Sequence, residues 1–197
     1  MPIPRIGELA PSFRLTAAHG GEVGLDDFKG RRAVAVWFTK GMACPFCRQQ
    51  MSQLARAYPR FRELDGELLQ VTNSTPARAR FYAKQFTLPF PYLCDPDYRA
   101  RREWGLERRS RGPGYYARTF AAGMKMPPMP NDFGDFKPTL GEMLPTMSDE
   151  DMGLFVVDRA GVVRYAFVTE YMNEMGAKPV PGADEIAREL ERCAAAA

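Results

Sequence analysis

The sequence predicts an α/β fold in which parallel strands alternate with helices, and three observations carry that reading. Ala33-Val34-Ala35-Val36-Trp37-Phe38 is a continuous apolar run after the charged Lys29-Gly30-Arg31-Arg32, as expected of a central strand buried on both faces. Met51, Leu54, Ala55, Tyr58, Phe61 and Leu64 then recur at intervals of three and four, one apolar stripe on a helix that ends near Asp65-Gly66. A second strand over 67–73 and a second helix opened by Thr75-Pro76 repeat the pattern. Strand, helix, strand, helix implies parallel pairing through right-handed crossovers.

The other elements frame that unit. Residues 13–16 and 22–25 flank Gly20-Gly21 and predict an N-terminal β-hairpin. The second helix carries Ala79, Phe81, Tyr82 and Phe86, and is followed by a short strand over 91–94 and a short helix over 97–104 that stops at Gly105. Residues 154–157 and 162–168 enclose Asp158-Arg159-Ala160-Gly161, a hairpin with glycine in its turn, and 184–192 forms an amphipathic closing helix. Between Arg108 and Asp149 the pattern dissolves into Gly, Pro and Met, an irregular insertion too long to be an ordinary connection.

Composition narrows the class. A chain of 197 residues, 45% of them hydrophobic, suits one domain over 1–197 with a substantial core. Lys and Arg number 27 against 24 Asp and Glu, and a net charge of +3 does not argue for nucleic acid. The N-terminus has no apolar signal segment and no run approaches a membrane span, so a soluble cytoplasmic protein with no membrane partner is the expectation. The four cysteines, Cys44, Cys47, Cys94 and Cys193, are too few and scattered for a secreted disulfide framework.

The chemistry is expected at Cys44 and Cys47, where the apolar strand gives way to a helix. Unpaired N–H groups and the positive end of the helix dipole favour thiolate over thiol there, and Lys40 and Arg48 add positive charge nearby. Cys44 lies nearest the helix start and is the better attacker, accessible and charged; Cys47 lies one turn inside and more buried. Pro45 suits the first helical turn, where its missing N–H has no intrahelical partner. Three readings compete: half of a zinc site, an inert buried pair, or redox chemistry. Zinc wants four ligands, and the lone His19 lies in a predicted turn while Cys94 and Cys193 have no partner at ligand spacing, so redox chemistry ranks first and no metal or cofactor is implied. Cys94 reads as a small buried hydrophobe, and Cys193 as an incidental free thiol.

Cys44-Pro45-Phe46-Cys47-Arg48 at the end of the first central strand, Leu88-Pro89-Phe90-Pro91-Tyr92-Leu93-Cys94-Asp95-Pro96, and Met152-Gly153-Leu154-Phe155-Val156-Val157-Asp158 together resemble the AhpC/TSA peroxiredoxin superfamily of the thioredoxin fold. The nearest likeness is a peroxiredoxin-like branch with C-P-x-C-R in place of the usual motif. The resemblance implies a thioredoxin-like, three-layer α/β/α fold with a central mixed sheet, and a thiol-dependent peroxidase or thiol-disulfide oxidoreductase. By position it assigns Cys44 as the peroxidatic cysteine and Cys47 as the resolving one. Thr39, Lys40, Gly41, Pro45 and Arg48 take supporting places, with Met152 and Gly153 facing the sulfurs from a neighbouring loop. The usual P-x-x-x-T-x-x-C would put Pro at Trp37 and Thr at Gly41, and the family's arginine near Met152; this chain has none of the three. A peroxide or disulfide substrate and a thioredoxin- or glutathione-type reductant are the implied partners. The rivals are a protein disulfide reductase and a non-catalytic redox-sensing or partner-binding module.

Two further features are weighed. Six arginines between Arg99 and Arg111 read as a solvated helix end rather than a nucleic-acid surface, because aromatic interleaving is lacking. Met124, Met126, Met129, Met143 and Met147 of the insertion, with Tyr115, Tyr116, Phe120, Phe133 and Phe136, suit adaptable apolar contacts. Packing on their own domain and a homodimer interface stand level, with a lid over the Cys pair ranked below.

Overall fold

The N-terminal hairpin pairs β1 (Arg14–Ala17) with β2 (Glu22–Gly24), and Gly20 and Gly21 turn it at positive φ. A single 3-10 turn over Leu25–Phe28 leads to β3 (Ala33–Thr39), all seven residues of which are buried. The structure, a computed structural model, describes residues 1–106, 149–170 and 180–195, with 108, 109, 112–114, 117, 121, 132, 133, 136, 138 and 139. After β3 come α1 (Pro45–Glu63), β4 (Gly66–Thr72), α2 (Pro76–Gln85), β5 (Tyr92–Cys94) and α3 (Arg99–Glu103). A two-residue strand β6 (Arg108–Arg109), the final hairpin β7 (Asp149–Val157) and β8 (Val163–Glu170), and α4 (Ala183–Ala195) complete the order.

The strands form one mixed sheet in the order β2-β1-β5-β4-β3-β7-β6, with β8 on β7. β3 is parallel to β4 and antiparallel to β7, so the strand that reads as most apolar is hydrogen-bonded on both edges. β4 and β5 are parallel, and β1 closes on β5 antiparallel. Alternation along β3 divides the core. Ala33, Ala35 and Trp37 face a layer built by Met51, Leu54 and Phe61 of α1, Ala79 and Tyr82 of α2, and Ile186 and Leu190 of α4. Val34, Val36 and Phe38 face the opposite layer, which Ala100 and Trp104 cover together with Phe13, Leu25 and Leu106.

Several sequence expectations shift in detail. The final hairpin's first strand begins at Asp149, so Met152 and Gly153 lie within β7 and not in a loop. Phe81, named with Ala79 and Tyr82 on the second helix, is 41% exposed while those two are buried. Arg101, read as part of a solvated helix end, is 2% exposed, because α3 lies against the sheet with its Ala100–Arg101 side inward. Of the insertion's aromatic and methionine residues only Phe133 and Phe136 are among those described; the others lie outside them. Both pack on the helix-side core, against Phe86 and Tyr82, while Asp132 binds Arg56 and donates its N–H to Ser52 Oγ at 2.8 Å. That part of the insertion packs on its own chain. Among the described residues no helix is long and apolar enough to cross a membrane.

Trp104 anchors the thinner layer, its ring 4.8 Å from Phe155, 5.3 Å from Phe38 and 6.3 Å from Phe13. Five residues of α3 cannot hold a helix by propensity alone, so the fully buried indole is what fastens it. Trp104→Ala should cost about 3–5 kcal/mol in urea unfolding, and a loss below about 1 kcal/mol would refute that role.

Candidate active site

Cys44 stands five residues beyond β3 and caps α1. Its backbone is extended, with φ −85° and ψ 120°, and its Sγ accepts the N–H of Cys47 at 3.4 Å. Pro45 takes the first helical position, where the absent N–H leaves no bond unmade. The sulfur therefore sits on an orphan donor at the positive helix end, which favours the thiolate. Cys47, like Cys44 not joined in a disulfide, lies on the first turn, within the same apolar cluster.

Both sulfurs are covered. Cys44 is 3% exposed and Cys47 1%, so the expected accessible outer cysteine is instead enclosed. The reason is a segment remote in sequence. Met152 packs on the pair from β7, and Phe46 and Val180 close over it. Gln50 of α1 donates to the Pro181 carbonyl at 3.3 Å, tying the chain ahead of α4 across the helix start.

Arg48 supplies the charge. It is 6% exposed, donates to the Met42 carbonyl at 2.8 Å and lies 5.5 Å from the Phe136 ring centre. Burial pulls its guanidinium below the usual arginine range, and negative charge on Cys44 and Cys47 pushes it back up. Arg48 and the two sulfurs are thus electrostatically coupled, as the sequence anticipates. Lys40 and Thr39 are both buried in the approach to the turn, and the Gly41 N–H points at Thr39 Oγ1 at 3.5 Å.

The turn itself is shaped from β5. Gly41 has φ +79°, and a Cβ there would stand 2.3 Å from Tyr92 Oη and 3.1 Å from Thr72 Cβ. Only glycine satisfies both demands. This is the position where the usual family pattern has threonine. The Tyr92 hydroxyl fills that space, accepts the Met42 N–H at 3.1 Å and shares a 2.8 Å hydrogen bond with Ser74 Oγ. Burial pushes its phenol up to about 12, against the pull of its hydrogen bonds to Ser74, Thr72 and Met42, so it stays protonated at neutral pH.

Met152 faces the sulfurs as expected, but Gly153 does not. Alternation along β7 turns Gly153 toward the other layer, where an added Cβ would strike Phe155 at 2.6 Å and Leu106 at 3.1 Å. Cys94 and Cys193 belong to the helix-side core, and burial pushes each thiol up to about 11. Sequence reading gave no site role to Tyr92 or Val180, because each reaches the site from a distant part of the chain.

Comparison with known proteins agrees with this architecture. The AhpC/TSA family model matches residues 6–166. Peroxiredoxin Q, chloroplastic, of Gentiana triflora is 31% identical over 100 residues, which are 51% of this chain and 46% of that protein. Peroxiredoxin Bcp of Escherichia coli (strain K12) is 26% identical over 102 residues, 52% of this chain and 65% of that one. The chain spans about half the length of the curated relatives it matches first. Among solved structures, peroxidoxin BcpB of Mycobacterium tuberculosis superposes with a TM-score of 0.62 at 13% identity, covering 98% of this chain and 97% of that one. Xanthomonas campestris peroxiredoxin Q gives 0.62 at 15% identity, covering 92% and 91%. These likenesses establish a thioredoxin-like α/β fold.

Three outcomes follow from the site and from the two buried thiols of the core. Tyr92→Phe removes one oxygen and strands the buried Met42 N–H, at a cost of about 1–3 kcal/mol in equilibrium unfolding; an unchanged midpoint would mean the hydroxyl does not hold the turn. A small alkylating agent near neutral pH should modify Cys44 ahead of Cys94 and Cys193, read by peptide mass spectrometry. Those two thiols titrate at about 11 in the folded chain against 9.0 ordinarily, so the native state holds more protons between these values. Stability from them is complete below pH 9 and is lost as pH rises toward about 11, which urea unfolding across that window would register.

Proposed function

The chain belongs to the AhpC/TSA family, and from that premise we propose that it is a thiol-dependent peroxidase cycling Cys44 and Cys47 between dithiol and disulfide. The observation that carries the reading is the Cys44 sulfur on the Cys47 N–H at the cap of α1, with the second thiol one turn away.

In the first step the Cys44 thiolate attacks the distal oxygen of a hydroperoxide. The O–O bond breaks, the sulfur is oxidised to sulfenic acid, and the remaining oxygen leaves as water or an alcohol after taking a proton. Arg48 holds positive charge beside the thiolate, and the fixed turn aims the sulfur. The Cys47 thiol then displaces hydroxide from the sulfenic sulfur, forming the S–S bond and releasing water. Two external thiols restore the dithiol and leave as a disulfide. A thioredoxin or glutathione is the donor of that chemical class, and a reducing compartment such as the cytoplasm supplies it.

The enclosure of both sulfurs favours a small oxidant over a protein disulfide, which needs a thiolate presented on an open surface. Closure by Val180 and Met152 implies that substrate enters a confined apolar space, and that the disulfide meets its reductant only after this cover parts.

The cysteine variants decide between the readings. Cys44→Ser should abolish peroxide consumption. Cys47→Ser should still consume one equivalent, leave a sulfenic acid that a dimedone-type reagent traps at Cys44, and lose turnover with thioredoxin. Turnover with disulfide substrates but not with peroxides would favour a disulfide reductase. Absence of turnover with either substrate and any thiol would leave a non-catalytic module.

A further inference from the structure

Resting on the reading of Cys44 as nucleophile, we infer that Arg101 is a positioning residue: its guanidinium replaces the missing rungs between β3 and β7 and so sets the gap in which the Cys44 turn and Met152 meet.

The β3–β7 ladder runs from Val34 opposite Val157 to Phe38 opposite Gly153 and stops there. Both strands continue. β3 runs on to Thr39 and then turns through Gly41 toward Cys44, while β7 carries Met152 onto the sulfurs and Asp151 beyond it. At this open end Arg101 Nη2 donates to the Thr39 carbonyl at 2.5 Å and Nη1 to the Asp151 carbonyl at 3.2 Å. One planar group spans the two strands. The two acceptors flank the site: Thr39 opens the turn to Cys44, and Asp151 precedes the methionine that packs on both cysteines.

The rest of α3 is arranged to deliver that group. The Asp95 carboxylate, 2% exposed, accepts the N–H of Ala100 at 3.2 Å and of Arg101 at 3.1 Å. Tyr98 takes φ +56° just ahead of the helix, a conformation that L side chains resist, and its hydroxyl accepts from Asn73 Nδ2 at 3.2 Å. The guanidinium lies 5.8 Å from the Phe38 ring centre, with Arg101 2% exposed overall. Its Nε has no hydrogen-bond partner among the described residues. A buried cation held by backbone carbonyls is a costly way to fasten a short helix that Trp104 already anchors. Its geometry is explained by the strand ends it bridges.

The test compares wild type, Arg101→Lys and Arg101→Met, each confirmed folded by circular dichroism at the working temperature. It measures the second-order rate of Cys44 oxidation by hydrogen peroxide and the pH profile of Cys44 alkylation. Misplacement of the turn by a fraction of an ångström should slow oxidation about ten- to hundredfold in Arg101→Met. A single ammonium cannot hold both carbonyls at the guanidinium spacing, so Arg101→Lys should slow it about three- to tenfold and decides the matter if the methionine variant does not fold. The alkylation profile should shift in the same order. A merely structural role would lower the unfolding midpoint alone; any folded variant within twofold of wild type in both rate and profile overturns the proposal. Wild type that yields no sulfenic acid or disulfide would defeat the peroxidase reading instead, and the alkylation profile, which needs no peroxide, would still judge Arg101.

Discussion

A cysteine that caps a helix is useful only while the chain leading into it is fixed, and everything around this site serves that constraint. Between the end of β3 and the cap lie Lys40, Gly41, Met42 and Ala43, which have no ladder or helix of their own to hold them. Two side chains hold Met42, Tyr92 accepting its N–H and Arg48 donating to its carbonyl, and Arg101 donates to the carbonyl of Thr39, from which the turn departs. With these bonds made, both peptide groups of Met42 and the Thr39 carbonyl are paired, and the Cys44 sulfur rests on its own donor, the Cys47 N–H. Remove the constraint and the sulfur keeps its chemistry but loses its aim.

The same constraint explains why so much polar chemistry is buried here. Thr39, Lys40, Arg48, Asp95, Arg101 and Asp151 are all withdrawn from solvent, although such groups are usually found at the surface. In a low-dielectric interior each hydrogen bond is stronger and each unmet one more costly, so a network of this kind admits few alternative arrangements. Precision at the turn is obtained by placing charged and polar side chains where they have little freedom to move.

The architecture was largely legible because local patterns determine it. The apolar run 33–38, the stripe from Met51 to Phe61, Thr75-Pro76 as a helix start and Gly161 in a hairpin turn each follow from a short-range rule, and each has its place in the structure. Cys44 and Cys47 were legible for the same reason, since a strand-to-helix junction is visible in sequence. The rest of the site was not. Tyr92 reads as a strand residue within a family-like stretch, Arg101 as one arginine among six, and Val180 as nothing in particular, because their contacts lie 50 or more positions away, as with Tyr92 on Met42 and Arg101 on Thr39. Gly153 illustrates the opposite error. A one-residue step along a strand reverses the face, so proximity in sequence to Met152 did not bring it to the sulfurs. The covering of Cys44 was missed because a helix N-terminus predicts electrostatics but not what the chain lays across it.

Burial of the pair and reactivity of the pair are compatible once Arg48 is counted. Enclosure alone would raise the cost of a thiolate, just as it pushes up the Cys94 and Cys193 thiols. At Cys44 an opposing contribution comes from the helix start and from a guanidinium that is itself desolvated and that negative charge on the sulfurs helps to compensate. The two charges therefore depend on each other. Formation of the disulfide removes the negative member and leaves Arg48 buried with a carbonyl and an aromatic face as its neighbours. In the proposed cycle that asymmetry would stabilise the reduced state relative to the oxidised one and make the couple more oxidising. An oxidising couple is readily reset by an external thiol, which is the closing step of the proposed cycle.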